Sequence, residues 1–418
     1  MTELPAPTKR IVGVMVCVAV MMLAVGLLAP RSPGPMAASE PTSFADLRAH
    51  PASSELTLRG SLGSRFGSSI AISGSRVVVG APDAYSVGQA YIFHPMTGVL
   101  IATLTTPDPT LIGGFGWSVA ISGSTVVVGS PFETVSGDEE AGHVYFFNSN
   151  TGAPIRTLSS PNVQISGLFG DSVAACGAYV VIGAPGEAGS QAEGAGHAYV
   201  FNMTTGALVH TLTSPNAQTD GAFGLSVALD GARVVVGAPD EKAAGYPQSG
   251  HAYLFKISDG ALVHILTSPN ARADAGYDLF GSSVAIGGST VVVSAPDELV
   301  DGDVYVFNAT THALTSTLYS PQPVEGGYFG WSVAIHGTSV LVGAPYETAN
   351  DSGSAGNAYI FEATTGALNS TLISPNAQYD GEFGFALAVD STRIAAGAPD
   401  EAIDGYDGGG DAYVFPLT

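Results

Sequence analysis

Clusters of carboxylates are the residues of this sequence whose type and spacing could support chemistry. The densest are Asp138-Glu139-Glu140, Asp297-Glu298 with Asp301 and Asp303, and Asp400-Glu401 with Asp404, Asp407 and Asp411. Carboxylate oxygens are ligands for Ca²⁺, and clustered negative charge also attracts basic protein surfaces. None of these clusters has the alternating acidic spacing of a dedicated calcium loop. Solvation of glycine-rich loops is therefore the alternative to any binding role.

Two sets of candidate residues follow from these clusters. Weak calcium binding would use Asp297, Asp301, Asp303, Asp400, Asp404 and Asp407. A face that binds a ligand would contain Asp138, Glu139, Glu140, Asp240, Glu241, Glu298 and Glu401.

Three histidines invite a metal hypothesis, because they occupy one position of a repeated pattern: His143, His197 and His251. The other repeats place Gln89, Asp303, Asn357 and Asp411 there. Zinc needs several ligands at about 2 Å, whereas equivalent positions of different repeats are related by a large rotation. The position is thus predicted to need a polar side chain, not a metal ligand.

Catalytic motifs are not evident in the sequence. It contains no Gly-x-Ser-x-Gly elbow, no His-Glu-x-x-His pair and no nucleotide-binding loop. With 36 acidic against 13 basic residues, the net charge is −23, which repels nucleic acid and anionic lipid headgroups. We therefore expect a protein that is not an enzyme, needs no cofactor and binds no nucleic acid.

The N-terminal segment predicts export. Lys9 and Arg10 precede an uncharged apolar run over residues 11–29, which as a helix would be about 28 Å long, close to the ~30 Å of a bilayer core. We interpret residues 1–30 as a signal or membrane-anchor segment and residues 31–54, rich in Pro, Ser and Ala, as a tether. The rest of the chain is expected outside the cytoplasm, either anchored or secreted after cleavage.

Seven internal repeats fill residues 55–418. Phe-Gly recurs at Phe66, Phe115, Phe169, Phe223, Phe280, Phe329 and Phe383. A strand pattern, a two-residue turn and a second strand that ends in Gly-Ala-Pro or a near variant follow each time, and then come a third strand with a central tyrosine and a fourth strand. Four antiparallel strands repeated seven times predict a seven-bladed β-propeller.

The two ends of the repeat region complement each other. The seventh repeat stops at Thr418, after its third strand, while residues 55–60 precede the first repeat and look like a fourth strand. The sequence therefore predicts that the N-terminal strand completes the last blade and closes the ring.

These paired motifs resemble the FG-GAP repeats of integrin α-chain propellers and of bacterial and archaeal surface proteins. The resemblance implies the same propeller fold and a role in binding or adhesion. Calcium-binding members carry an Asp-x-Asp-x-Asp-Gly loop before the second strand, where this chain has two-residue turns such as Ser73-Gly74 and Asp230-Gly231. The chain thus resembles the branch of the family that lacks this loop.

Loop lengths predict which face of the propeller binds. Connections from strand two to three and from strand four to the next strand one emerge on one face, are long and hold most of the carboxylates. The short turns of the other face hold Asp230, Asp259, Glu362 and Asp390. We expect a non-catalytic cell-surface or extracellular module that binds a protein or glycan on the acidic face.

Two alternatives to this binding module remain open. One is a structural envelope component without a discrete ligand. The other is a propeller enzyme of the quinoprotein type, whose repeats carry docking tryptophans near a Thr-Gly turn. This chain has only Trp117 and Trp331, both directly after Phe-Gly.

Overall fold

The computed structural model describes residues 55–108, 112–189, 192–271, 277–299, 301–403 and 408–417. The predicted N-terminal anchor and tether lie outside these residues, as do Asp404 and Asp407. The described residues form seven four-stranded antiparallel sheets and a single-turn 3₁₀ helix at Ala84–Ser86. The predicted seven-bladed propeller is confirmed.

The strands are numbered in chain order; each of the first six blades contains four consecutive strands, and the last contains three and the N-terminal strand. They are β1 (Leu56–Arg59), which stands alone before the first blade; β2 (Ser69–Ser73), β3 (Arg76–Ala81), β4 (Gln89–Phe93) and β5 (Leu100–Leu104) in blade 1; β6 (Ser118–Ser122), β7 (Thr125–Ser130), β8 (His143–Asn148) and β9 (Pro154–Ser159) in blade 2; β10 (Val173–Cys176), β11 (Tyr179–Ala184), β12 (His197–Asn202) and β13 (Leu208–Leu212) in blade 3; and β14 (Ser226–Leu229), β15 (Arg233–Ala238), β16 (His251–Lys256) and β17 (Leu262–Leu266) in blade 4. The remaining strands are β18 (Val284–Gly287), β19 (Thr290–Ala295), β20 (Asp303–Asn308) and β21 (Leu314–Tyr319) in blade 5; β22 (Val333–His336), β23 (Ser339–Ala344), β24 (Asn357–Glu362) and β25 (Leu368–Ile373) in blade 6; and β26 (Leu387–Val389), β27 (Arg393–Ala398) and β28 (Asp411–Pro416) in blade 7.

The N-terminal strand closes the ring as predicted. Strand β1 pairs antiparallel with β28, so the last blade has the order β1-β28-β27-β26. Leu58 lies opposite Ala412 and is 2% exposed, within a core cluster that also contains Phe66 and Ile70 of blade 1. One short strand thus joins the two ends of the chain and seals the junction between blades 7 and 1.

The phenylalanine of each Phe-Gly motif packs between neighbouring blades. All seven are fully buried. Phe223, for example, meets the ring of Phe255 edge-on at 6.0 Å and that of Tyr253 at 5.5 Å, in a cluster that also includes Val181 and Leu212 of the preceding blade. Tilted and edge-on contacts of this kind are the favoured geometry for aromatic pairs. The motif therefore supplies the apolar contact between blades.

The two repeated glycines explain why Phe-Gly and Gly-Ala-Pro occur together. A β-carbon on Gly129, in β7, would overlap the carbonyl oxygen of Gly170, the Phe-Gly glycine of the next blade. Gly170 itself has φ +96°, which favours glycine. Ser118 donates a hydrogen bond to the same carbonyl oxygen at 2.7 Å. Neighbouring blades thus approach backbone to backbone, and this approach needs both glycines.

Candidate functional site

Connections from strand two to three and from strand four to the next strand one emerge on the same face, as the antiparallel strand order requires. Asp138, Glu139 and Glu140 follow β7 in a loop whose Val135 and Asp138 exchange two backbone hydrogen bonds of 3.0 Å. Glu139 is exposed and Asp138 is half-buried. Glu140 accepts a 3.0 Å hydrogen bond from Ser166 of the next connector. This cluster presents carboxylates to solvent from a hydrogen-bonded loop.

Glu241, Glu298 and Glu401 do not belong to an exposed face, and their assignment to the ligand face is wrong. All three are fully buried. Glu241 accepts a hydrogen bond from the hydroxyl of Tyr253, and Glu401 accepts one from that of Tyr413. Because a buried carboxylate is costly unless hydrogen-bonded, these groups serve the interior of the propeller.

The same buried network recurs in blades 2 to 7. Each glutamate accepts a hydrogen bond from the tyrosine of the third strand, and in most blades a serine from the preceding connector also donates to it. In blade 5, Glu298 receives Tyr305 at 2.7 Å and Ser268 at 2.6 Å. The six glutamates are Glu133, Glu187, Glu241, Glu298, Glu347 and Glu401. The network therefore joins each of these blades to the connector that leads into it.

The histidine position lies at the edge of this network. His143 Nδ1 is 2.8 Å from Glu133 Oε2, His197 Nδ1 is 3.1 Å from Glu187 Oε2, and His251 Nδ1 is 2.9 Å from Glu241 Oε2. In blades 5 to 7 the position holds Asp303, Asn357 and Asp411, which bring no positive charge. There burial raises the pKa of the glutamate, to about 7 for Glu298 and to about 8 for Glu401. The pKa of Glu347 is raised for the same reason.

The structure separates the calcium candidates. Asp303 is buried and accepts hydrogen bonds from Tyr305 at 3.1 Å and Asn270 at 3.2 Å. Asp400 pairs with Arg65 at 3.1 Å. Asp297 and Asp301 are half-buried, and burial raises the pKa of Asp297 to about 6. Across the described ranges, no three His, Cys, Asp or Glu side chains form a group that could hold a metal ion.

Asp240 is half-buried and lies at the start of the loop that follows β15. Its Oδ1 accepts a 2.7 Å hydrogen bond from Gln248 Nε2, within the same loop. Its contacts thus stabilise the fold of that loop.

A cluster of charged and aromatic side chains at the junction of blades 7 and 1 was not predicted. Arg65 reaches Glu382 at 3.1 Å and Asp400 at 3.1 Å, and its guanidinium lies 5.5 Å from the ring centre of Phe385. Trp331 of blade 6 continues the cluster, 5.2 Å from Phe385. Blade 1 has Ala84 in place of the buried glutamate and Gly60 in place of the connector serine. Ion pairs of Arg65 therefore join the two blades where the recurrent network is missing.

The signal for this cluster was available in the sequence. Its residues flank the Phe-Gly motifs or follow Gly-Ala-Pro, and these positions vary from repeat to repeat between charged, aromatic and small residues. Variation at a fixed position of a repeat indicates a surface that differs around the ring.

Carboxylates of the short-turn face accept hydrogen bonds from backbone N–H groups of their own turns. Asp259 accepts a 3.1 Å hydrogen bond from the N–H of Ala261, and Asp390 accepts one of 2.8 Å from that of Thr392. Glu362 accepts the N–H groups of Thr364 and Thr365, and these hydrogen bonds lower its pKa. Asp259 and Asp390 thus bond the backbone two residues on, as aspartates in turns commonly do, and Glu362 makes the equivalent contacts with a longer side chain.

Comparison with known proteins gives one family. Six segments match a family described as FG-GAP repeat: residues 60–93, 99–147, 157–201, 207–255, 270–307 and 315–361. No curated protein matches the chain. Within the described residues, no helix is long and apolar enough to cross a membrane.

Proposed function

The chain belongs to the FG-GAP repeat family, and on that premise we propose that it is a non-catalytic module that binds a protein or glycan through its long-loop face. FG-GAP propellers are commonly binding or adhesion modules. The observation that carries the proposal is the difference between the two faces. A long loop holds the exposed Glu139 between the half-buried Asp138 and Glu140, whereas the carboxylates of the short turns accept hydrogen bonds from the backbone of their own turns.

The place of action follows from the same premise. We propose that the module works outside the cytoplasm, anchored by residues 1–30 or secreted after their cleavage. Any calcium bound by the half-buried Asp297 and Asp301 would be bound weakly.

Charge should steer association with this face. Long-range attraction falls when salt shortens the Debye length from about 10 Å at 0.1 M to about 3 Å at 1 M. A displayed library of random peptides and a glycan array, both screened with the complete chain, supply the probes. The association rate of the strongest binder should fall with added salt.

Two matched triple variants locate the binding face. Asp138→Asn, Glu139→Gln and Glu140→Gln together should slow association. The control variant, Asp259→Asn with Glu362→Gln and Asp390→Asn, removes the same charge and keeps an acceptor oxygen for each turn, so it should bind like the parent chain. Both variants should melt close to the parent chain, because every substitution keeps an oxygen acceptor for the hydrogen bonds at its position. Loss of binding in the control alone would place the ligand on the other face. If neither screen yields a binder, the proposal fails and a structural role is favoured.

A further inference from the structure

The turn between the third and fourth strands contains one residue with positive φ, which is glycine in five of the six described turns. The five glycines are Gly98, Gly152, Gly206, Gly260 and Gly366, with φ between +65° and +73°. Blade 5 has His312 at this place, with φ +63°, and its N–H donates to the carbonyl of Asn308 at 2.8 Å. A left-handed backbone is uncommon for a residue with a β-carbon, and such outliers often mark functional sites.

The preceding blade places a fourth-strand side chain beside four of these glycines. They are Ala102 beside Gly152, Arg156 beside Gly206, His210 beside Gly260 and Ser316 beside Gly366. In blade 4 the equivalent residue is His264, on β17. Its ring stacks on that of His312, with ring centres 4.3 Å apart and an angle of 12° between the ring planes. Among the described turns, two histidines therefore meet only between blades 4 and 5.

The two imidazoles have nitrogens available to a ligand. Both side chains are half-buried. Across the described part of the chain, neither ring makes a hydrogen bond, and none of their nitrogens is fully buried. Burial and, secondly, the neighbouring His312 lower the pKa of the His264 imidazole, which favours its neutral form. By contrast, Nε2 of His210 lies 2.7 Å from the carbonyl oxygen of Ile257.

Neutral imidazole is a ligand for Zn²⁺, Ni²⁺ and Cu²⁺, whereas Ca²⁺ and Mg²⁺ prefer oxygen. Two nitrogens that bind one such ion at about 2.0–2.1 Å lie no more than about 4 Å apart. The 4.3 Å between the ring centres is close to this limit. Rotation of the two half-buried rings about their side-chain bonds would turn one nitrogen of each toward a common ion.

The surrounding charge is compatible with a cation. Arg233 donates to the carbonyl of Ala309, in the same turn as His312, at 3.0 Å. Asp230 pairs with this arginine at 3.1 Å and balances its charge. The net charge of −23 attracts cations to the protein as a whole.

We propose that His264 and His312 together bind one divalent late transition-metal ion, of the class of Zn²⁺, Ni²⁺ and Cu²⁺, at the junction of blades 4 and 5. The two imidazoles supply two ligands, and water occupies the remaining coordination positions. The pair lies beside a short turn, away from the long-loop face, so this site is separate from the proposed ligand surface.

Calorimetric titration of the complete chain with ZnCl2 tests the site, in an excess of CaCl2 that occupies the carboxylates. His312→Gly gives blade 5 the residue of the other turns, and His264→Ala gives blade 4 the residue that blade 1 has at Ala102, so both variants should fold. Each should weaken Zn²⁺ binding at least tenfold, about 1.4 kcal/mol. The matched control, His210→Ala, removes the equivalent histidine of blade 3 and should bind Zn²⁺ like the parent chain.

Pulsed electron paramagnetic resonance with one equivalent of CuCl2 counts the imidazoles bound to the ion. The parent chain and His210→Ala should show two, and the other two variants at most one. Binding should also weaken below about pH 6.5, where imidazoles take up protons. Equal Zn²⁺ affinity in the parent chain, His264→Ala and His312→Gly would overturn the proposal. An equal loss in His210→Ala, or no Zn²⁺ binding by the parent chain at millimolar concentration, would overturn it as well.

Discussion

Ring closure through a single short strand makes Leu58 the most informative position for a stability measurement. Leu58→Ala removes a side chain that is 2% exposed and packs against both end blades. A buried leucine replaced by alanine costs about 2–5 kcal/mol. Since net stabilities are typically about 5–15 kcal/mol, this one change would remove a large share. Leu56 is only half-buried, so Leu56→Ala should cost less.

Equilibrium unfolding in guanidinium chloride measures this effect. Leu58→Ala should lower the midpoint, whereas Leu62→Ala, at a residue 58% exposed, should leave it almost unchanged. Removing the strand altogether, by comparing chains that begin at residue 45 and at residue 62, should lower the midpoint further and promote aggregation, because the edge of β28 is then unpaired. Equal midpoints for the two chains, or for Leu58→Ala and Leu62→Ala, would refute closure by β1.

Three further stability predictions follow from the interior. Burial raises the pKa of Glu401 from 4.5 to about 8, so between these pH values the folded protein holds a proton that the unfolded chain releases. The contribution of Glu401 to the free energy of unfolding is therefore present below pH 4.5 and is lost as pH rises through about 8. Glu401→Gln should flatten the decline in melting temperature across that range, and an unchanged profile would contradict the assignment. Tyr253→Phe removes the hydroxyl that donates to the buried Glu241 and should cost about 1–3 kcal/mol in urea unfolding, whereas the exposed Tyr379→Phe should cost nothing measurable. Gly129→Ala forces a β-carbon against the carbonyl oxygen of Gly170 and should cost about 1–3 kcal/mol in urea unfolding. Gly123 has open space around it, so Gly123→Ala should cost only the strain of its positive φ, about 1 kcal/mol. Equal costs for the two variants would argue against the backbone contact.

Repeats made the fold predictable from the sequence. Each Phe-Gly, Gly-Ala-Pro and tyrosine recurs seven times, or nearly so, at a fixed place, so a weak signal for one strand becomes a strong one for the blade. The closing strand followed from counting strands at the two ends. These features depend on short-range spacing, which a sequence records directly.

Burial of the acidic residues was harder to predict. Glu241 and Asp240 are neighbours in one loop, yet the first is fully buried and the second half-buried. Composition treats them alike, because it does not record that Tyr253 and Asn216, which are 12 and 25 residues away, both donate hydrogen bonds to Glu241. The repeat pattern does distinguish Glu241 from Asp240, because a glutamate lies four residues after the first residue of the Gly-Ala-Pro triplet in six repeats. A carboxylate that recurs at the same position from blade to blade has the same neighbouring side chains in each blade, and those neighbours lie inside the propeller.

Whether an acidic residue recurs between repeats also separates the residues that stabilise the propeller from those available for binding. Glu133, Glu187 and Glu241 occur at a repeated position and hold the blades together, whereas Asp138 and Glu139 have no counterpart in most repeats. A ligand that lacks the repeat symmetry of the ring can be recognised only by residues that differ between repeats. Because the buried network does not depend on the non-repeated carboxylates, their sequence can change without loss of the propeller. Substitutions that map the ligand should therefore be drawn from positions that do not recur, and losses of binding at recurrent positions should be attributed first to the fold.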